Sequence, residues 1–191
     1  RAGILNLGIE GIMTIGALVG WTTVYLGAEL STGILVAALV GASFGFLHAL
    51  FSVHLGASQH VTGIGITLFA SSIGYYSFRI LLPSSTTPPK IEAFQPLDIP
   101  FLSDIPFFGI ALFQHTGFTY LAFLLVPVVF WLMNKTPLGL AIKVAGENPM
   151  ALEAQGVDVL FIRTVALMIG SSLMALGGAY LTMSAFDAFY F

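Results

Sequence analysis

The sequence predicts an all-α fold, a polytopic helical bundle of about five spanning helices in a membrane, on three observations. Of its residues 57% are hydrophobic and only 8% are charged, where a soluble domain is about a quarter charged. The whole stretch between Glu29 and Arg79 passes without an Asp, Glu, Lys or Arg. The apolar runs also lack the charged face that a helix on a soluble core turns to water. Such runs belong in hydrocarbon.

Crossing about 30 Å of hydrocarbon takes about twenty helical residues, and the spans predicted are residues 3–26, 33–53, 63–82, 116–133 and 160–183. In the first, Asn6 and Glu10 are four apart, so a helix puts them on one face. An ionisable residue at membrane depth is costly unless paired or wet, which makes Asn6 and Glu10 candidates for a substrate pathway. Small residues at helix-packing spacing, Gly16 with Gly20 and Gly41 with Gly45, let backbones approach closely, as do Gly170, Gly177 and Gly178 in the fifth run.

The link that opens the third run holds His54, Gln59, His60 and Thr62. Gln59 joins the pathway candidates; two histidines without a neighbouring Asp, Glu or Cys lack a zinc pattern, so no metal site is expected. Arg79 sits at the far end of that run, where a long side chain reaches the headgroups. Residues 83–115 form a Pro-rich loop, and its apolar stretch 105–113 is too short to cross, which predicts an interfacial or re-entrant segment or an ordinary packed loop. After the fifth run, Phe186, Asp187 and Phe189 set a carboxylate among aromatic rings. Such rings stack on a base or sugar, and equally form an interfacial belt.

The polar segment 134–158 is unlike the rest of the chain. Asn148 followed by Pro149 reads as an N-cap with proline at the first helical position, Glu153 falls in the helix body, and Gly156 is placed to end it. This predicts a short surface helix of about two turns, in a connection longer than two adjacent spans require, and the excess calls for a partner. Lys135, Lys143 and Arg163 flank the segment, whereas the Pro-rich loop holds Lys90 among Glu92, Asp98 and Asp104. The segment is therefore expected on the cytoplasmic side, together with residue 1 and the 54–62 link, with Glu29 and the Pro-rich loop outside.

Within that segment Thr136, Pro137, Leu138 and Gly139 are followed by Gly146, Glu147, Asn148 and Pro149, and then by Glu153 and Gly156. This pattern resembles the cytoplasmic coupling motif of ABC importer permeases for simple sugars and nucleosides, in the branched-chain-amino-acid and ribose-type permease superfamily. Residues 3–13 are similar to the signature opening of the same family. The resemblance implies a type II-like importer permease, a single transmembrane domain over residues 1–191 with further helices missing at both ends. It also implies translocation of a nucleoside or simple sugar across the cytoplasmic (inner) membrane.

The expected partners are a second permease subunit, identical or not, cytoplasmic ABC ATPase subunits and an extracytoplasmic solute-binding protein. ATP and Mg would be bound by the ATPase, which accords with the lack here of a G-x-x-x-x-G-K-[ST] loop. In the coupling motif Gly146 and Gly156 would permit tight turns, Glu147 and Asn148 would supply polar contacts or caps, and Leu152 would offer an apolar knob.

Other classes fit less well. The absence of cysteine removes disulfides, thiolate zinc sites and thiol nucleophiles, and without a basic run nucleic acid is not an expected partner. No concentrated His, Asp, Glu or Ser constellation marks a reaction centre, so no catalytic residue is assigned. The alternative is a secondary, ion-coupled transporter. It would need ionisable groups at mid-membrane, and the spans offer Glu10 and Asp187.

Overall fold

The structure is a computed structural model that describes residues 2–82, 89–92, 94–98, 114–186 and 188–189. Its helices are α1 (Ile9–Tyr25), α2 (Leu30–Ala49, continued by a π-helical turn at Leu50–His54), α3 (Gln59–Leu81), α4 (Gly117–Lys135), α5 (Pro137–Glu147), α6 (Pro149–Ala154) and α7 (Val159–Tyr180, continued by a π-helical turn at Leu181–Ala185). Two short strands, β1 (Pro96–Asp98) and β2 (Gln114–Thr116), pair antiparallel with Pro96 opposite Thr116. They add a small ribbon to the predicted all-α class, pairing the middle of the Pro-rich loop with its C-terminal end. The apolar stretch 105–113 and Asp187 lie outside the described residues.

Among the described residues, four helices are long and apolar enough to cross a membrane: Leu30–His54, Gln59–Leu81, Gly117–Lys135 and Val159–Ala185. They match four of the predicted runs to within a few residues. The first run departs from expectation, because its helix starts at Ile9, is 17 residues long, and is preceded by a non-helical stretch from Ala2 to Gly8. Local chemistry explains the late start. Gly3 has φ +75°, and the Asn6 side chain accepts a hydrogen bond from the Gly8 backbone N–H at 2.8 Å, holding the chain in a turn that competes with helix. Asn6 and Glu10 therefore do not share a helix face.

The bundle core is α1, α2 and α7, with α3 against α1. Glycine sets how closely they meet. A Cβ on Gly16 would lie 2.6 Å from Ala175 Cα, one on Gly41 2.5 Å from Ala175 Cβ, and one on Gly45 2.7 Å from the Leu167 carbonyl oxygen. Gly178 abuts the Met13 backbone, whereas Gly170 has open space around it and Gly177 meets only the Met13 side chain. Of those three glycines, then, only Gly178 makes a close helix contact.

At one end of the bundle Trp21 is buried, stacked on Tyr25 at 5.0 Å and flanked by Phe78 and Phe189. At the other end Ala2, Ile142, Ala145, Leu152, Val159 and Ile162 form a second core. α4 stands apart, since only its first residues and its lower end are held. Phe118 packs between Phe94 and Tyr180, Thr116 and Ser184 share a hydroxyl hydrogen bond at 2.8 Å, and Leu124, Val126, Phe130 and Trp131 face outward.

The ends alternate as predicted. The 54–59 link, Ala2 to Leu5, α5 and the start of α7 gather at one end, tied by Leu5 N–H to Gln59 Oε1 at 2.8 Å and His54 Nε2 to Thr164 Oγ1 at 3.0 Å. Phe94, Thr116 and Ser184 meet at the opposite end, where Phe94 N–H donates to the Met183 carbonyl at 3.2 Å. Near that end Arg79 donates to the Tyr75 hydroxyl at 2.9 Å and lies over its ring.

Candidate functional site

Three helices in succession are opened by side-chain caps. Thr136 Oγ1 donates to the Leu132 carbonyl at 2.6 Å and accepts from Gly139 N–H at 3.1 Å, so it ends α4 and starts α5, with Pro137 at the first helical position. Pro137 to Gly139 thus form the first turn of α5, with Thr136 as its N-cap. Gly139 is buried in the crook, where a Cβ would collide with the Leu132 carbonyl and lie 2.6 Å from Met133 Cα. Asn148 Oδ1 accepts from Ala151 N–H at 3.1 Å at the head of α6, with Pro149 next, as its sequence predicts. Gly156, at φ +77°, turns the chain out of α6, and Asp158 Oδ1 accepts from Leu160 N–H at 2.8 Å and Phe161 N–H at 3.2 Å to begin α7.

Two expectations for this unit are corrected. Leu152 is 4% exposed and packs with Ile142, Ala145 and Val159, so it anchors α6 to the bundle and presents no knob. The apolar side chains that project are Met150, 81% exposed, and Leu140, 63% exposed, beside exposed Glu147, Asn148 and Glu153. Gly146 lies inside α5 and is absent from the positive-φ glycines, so it makes no turn. It serves instead as the surface that Gly3 meets, since a Cβ on Gly3 would be 3.0 Å from Gly146 Cα.

That contact leads into the non-helical stretch, a strap between α5 and α1. Arg163 Nη2 donates to the Ala145 carbonyl at 3.0 Å near the C-terminal end of α5, where a cation also complements the helix dipole. Further along, Leu5 N–H is bound by Gln59, the Leu7 carbonyl accepts from Thr67 Oγ1 at 3.2 Å, and Asn6 Nδ2 donates to Ser171 Oγ at 3.3 Å. Non-helical backbone at membrane depth needs such partners, because hydrocarbon offers none.

The pathway candidates divide among three hollows. Gln59 lines a polar cleft of about 890 Å³ with Lys143 and Glu147 at the strap. Asn6 lines an apolar pocket of about 370 Å³ between α4 and α7. Glu10, Phe186 and Phe189 come together on a groove of about 770 Å³ between α1 and the π-helical turn of α7, with Thr14 and Thr182. Phe186 is 59% exposed, whereas Phe189 is 3% exposed and packed on Trp21 and Phe78, so its ring is part of the core.

Residues 1–189 match the family model described as branched-chain amino acid transport system / permease component. The chain belongs to this permease family. It is 31% identical to a guanosine ABC transporter permease protein of Bacillus subtilis over 98% of the chain and 61% of that protein. A putative glucose ABC transporter permease protein of Haloferax volcanii is 31% identical over 96% of the chain and 56% of that protein. A nucleoside ABC transporter permease protein of Lactococcus lactis subsp. cremoris is 32% identical over 94% and 58%. The chain thus spans roughly three-fifths of the length of the curated relatives it matches. No solved structure matches it.

The permease is a multi-pass membrane protein by its apolar helices and its family. Sequence reasoning missed four features of it: helix α5 as a unit, the strap, the outward Met150 and the Thr14 and Thr182 hydroxyls. A signal for α5 was present, because Thr136 and Pro137 repeat the cap-then-proline pattern of Asn148 and Pro149. No comparable signal marked Thr182, whose hydroxyl donates to the Ala17 carbonyl at 3.1 Å across two elements far apart in sequence.

Proposed function

We propose that this permease is the transmembrane component of an ATP-driven ABC import system in the cytoplasmic (inner) membrane, and that its full-length form carries a nucleoside or simple sugar inward. The observation that carries the reading is the capped pair α5–α6, a rigid polar shelf that projects Met150 and Leu140 among exposed Glu147, Asn148 and Glu153. Lys135 and Lys143 lie at the same end. The relatives named for guanosine, nucleosides and glucose support the solute class.

On this reading the ATPase subunits bind ATP and Mg and receive α6 in a groove, with Met150 as the apolar contact and Glu147 and Glu153 as polar ones. A second permease subunit completes the passage, and a solute-binding protein delivers at the end that carries the β ribbon. Leu152 fastens α6 to α7 through the shared core, so displacement of α6 moves the start of α7 instead of bending a loop. Alternating access follows when two packings of that unit are biased by nucleotide.

The test is co-purification of the full-length permease with its ATPase, repeated with Met150→Asp. The unmodified protein is expected to retain the ATPase and the variant to lose it while melting at the same temperature. An unmodified permease that holds no ATPase, with uptake driven by a proton or sodium gradient, would overturn the proposal.

A further inference from the structure

His48 is fully buried, and among the described residues neither of its ring nitrogens has a hydrogen-bond partner. It stands inside the α2 span, where an unmet polar group is costly because hydrocarbon offers it nothing. Neither the coupling unit nor the pathway candidates make use of it.

Helix geometry gives its surroundings. Gly41 meets α7 at Ser172 and Ala175, and Gly45 meets it at Leu167 and Met168, so the two helices run antiparallel. His48 follows Gly41 by seven residues and Gly45 by three, and so enters the same interface one turn nearer the end that carries α5. Helical side chains lean back toward their own N-terminus. That brings the imidazole back toward Gly45 and, on the antiparallel α7, tips the Ser171 hydroxyl toward the imidazole. A Cβ on Gly45 would be 2.8 Å from Ser171 Cβ, and His48 is only about 4.5 Å farther along α2 at 1.5 Å per residue. Ser171 is itself fully buried. Its Oγ accepts from Asn6 Nδ2 at 3.3 Å, and among the described residues no hydrogen bond uses its own proton. A hydroxyl proton without an acceptor thus lies within a turn of an imidazole without a partner, and this packing leaves them apart.

Both sides of the pair have a means of moving. Asn6 belongs to the strap, whose Gly3 rests on Gly146 of α5, so a displacement of α5 reaches Ser171 through Asn6. On α2, the π-helical turn Leu50–His54 stands between His48 and the bond of His54 Nε2 to Thr164 Oγ1 at 3.0 Å. Such a turn widens the helical ladder to i→i+5, and this slack lets α2 rotate on α7 while its end stays fastened.

We infer that Ser171 is shared between two packings, bonded to Asn6 in this one and to His48 in the other, and that His48 is thereby a positioning residue for the step in which α2 and α7 change access. This rests on the import reading above and deepens it, because it names where motion of α5 and α6 is received in the bundle. The unmet imidazole raises the free energy of this packing and the new bond lowers that of the other, so both bias the equilibrium the same way.

The experiment reconstitutes the full-length permease with its ATPase and solute-binding protein in proteoliposomes and measures ATP-driven uptake of labelled guanosine and of labelled glucose. For whichever solute the unmodified complex carries, H48L, close in volume but without a polar atom, is expected to lower uptake about tenfold while melting no lower than the unmodified permease. H48Q, which restores a side-chain hydrogen-bonding group, should recover part of the uptake. S171A should lower uptake as far as H48L, and H48L/S171A no further, the mark of one shared bond. In complexes labelled with 15N-histidine in nanodiscs, the ring resonance that H48L lacks should shift when ATP and vanadate trap the complex, and should not shift in S171A.

Uptake by H48L at the unmodified rate, losses that multiply in the double variant, or a His48 resonance identical with and without trapping, as a permanently bound water would give, would each overturn the assignment. So would a loss in H48L that comes with lower melting and is not recovered by H48Q, which marks packing alone. Failure of the unmodified complex to hydrolyse ATP or to carry either solute would instead sink the import reading beneath it.

Discussion

Leu152 and Met150 sit two positions apart on α6 and face opposite ways, so they separate stability from docking. Leu152→Ala removes a buried side chain from the core it shares with Ile142 and Val159, and large-to-small changes of that kind cost about 2–5 kcal/mol. The expected result is a lower melting temperature in detergent. Met150→Ala, at 81% exposure, should leave melting unchanged and weaken ATPase retention alone. Asn148→Ala removes the α6 cap, with an expected cost of about 0.5–2 kcal/mol, read as faster amide exchange over Pro149–Ala154. A cap and a proline are local signals, which is why Asn148, Pro149 and Gly156 were legible in sequence. The direction of Leu152 was not, because a helix of six residues is too short for periodicity to choose its buried face.

At the scale of elements, the strap and the crook between α4 and α5 are the places where backbone, not side chain, decides the shape. Gln59→Leu removes the acceptor for Leu5 N–H, so hydrogen exchange at Leu5 should accelerate by tenfold or more while α7 amides keep their protection. Gly139→Val would force a branched side chain against the Leu132 carbonyl and Met133. Overpacking typically costs about 1–3 kcal/mol, and here it should pry α5 from α4 and appear as protease cleavage near Thr136. Hydropathy could not reveal the strap, because Ala2 to Gly8 is as apolar as the helix that follows it. What interrupts the helix is Asn6 turning back on Gly8 and side chains of α3 taking the backbone's hydrogen bonds.

For the whole molecule, the alternation of ends makes a prediction that the lack of cysteine renders simple to read. Cysteines placed at Met150 and Ala57 should react with an impermeant thiol reagent from one side of the membrane and a cysteine at Ser31 only from the other. Labelling of all three from one side would contradict the arrangement. Composition and charge alone determined that the chain lives in a membrane, where four of its spans run and which residues cap its surface helix, because solvent preference and capping act over a few neighbouring residues. Tertiary structure decided the rest. It split the first run into strap and helix, turned Leu152 and Phe189 inward, and gathered Glu10, Thr14, Thr182 and Phe186 on one groove, because those outcomes depend on contacts between different elements, such as Leu5 with Gln59, Leu152 with Val159 and Phe189 with Trp21.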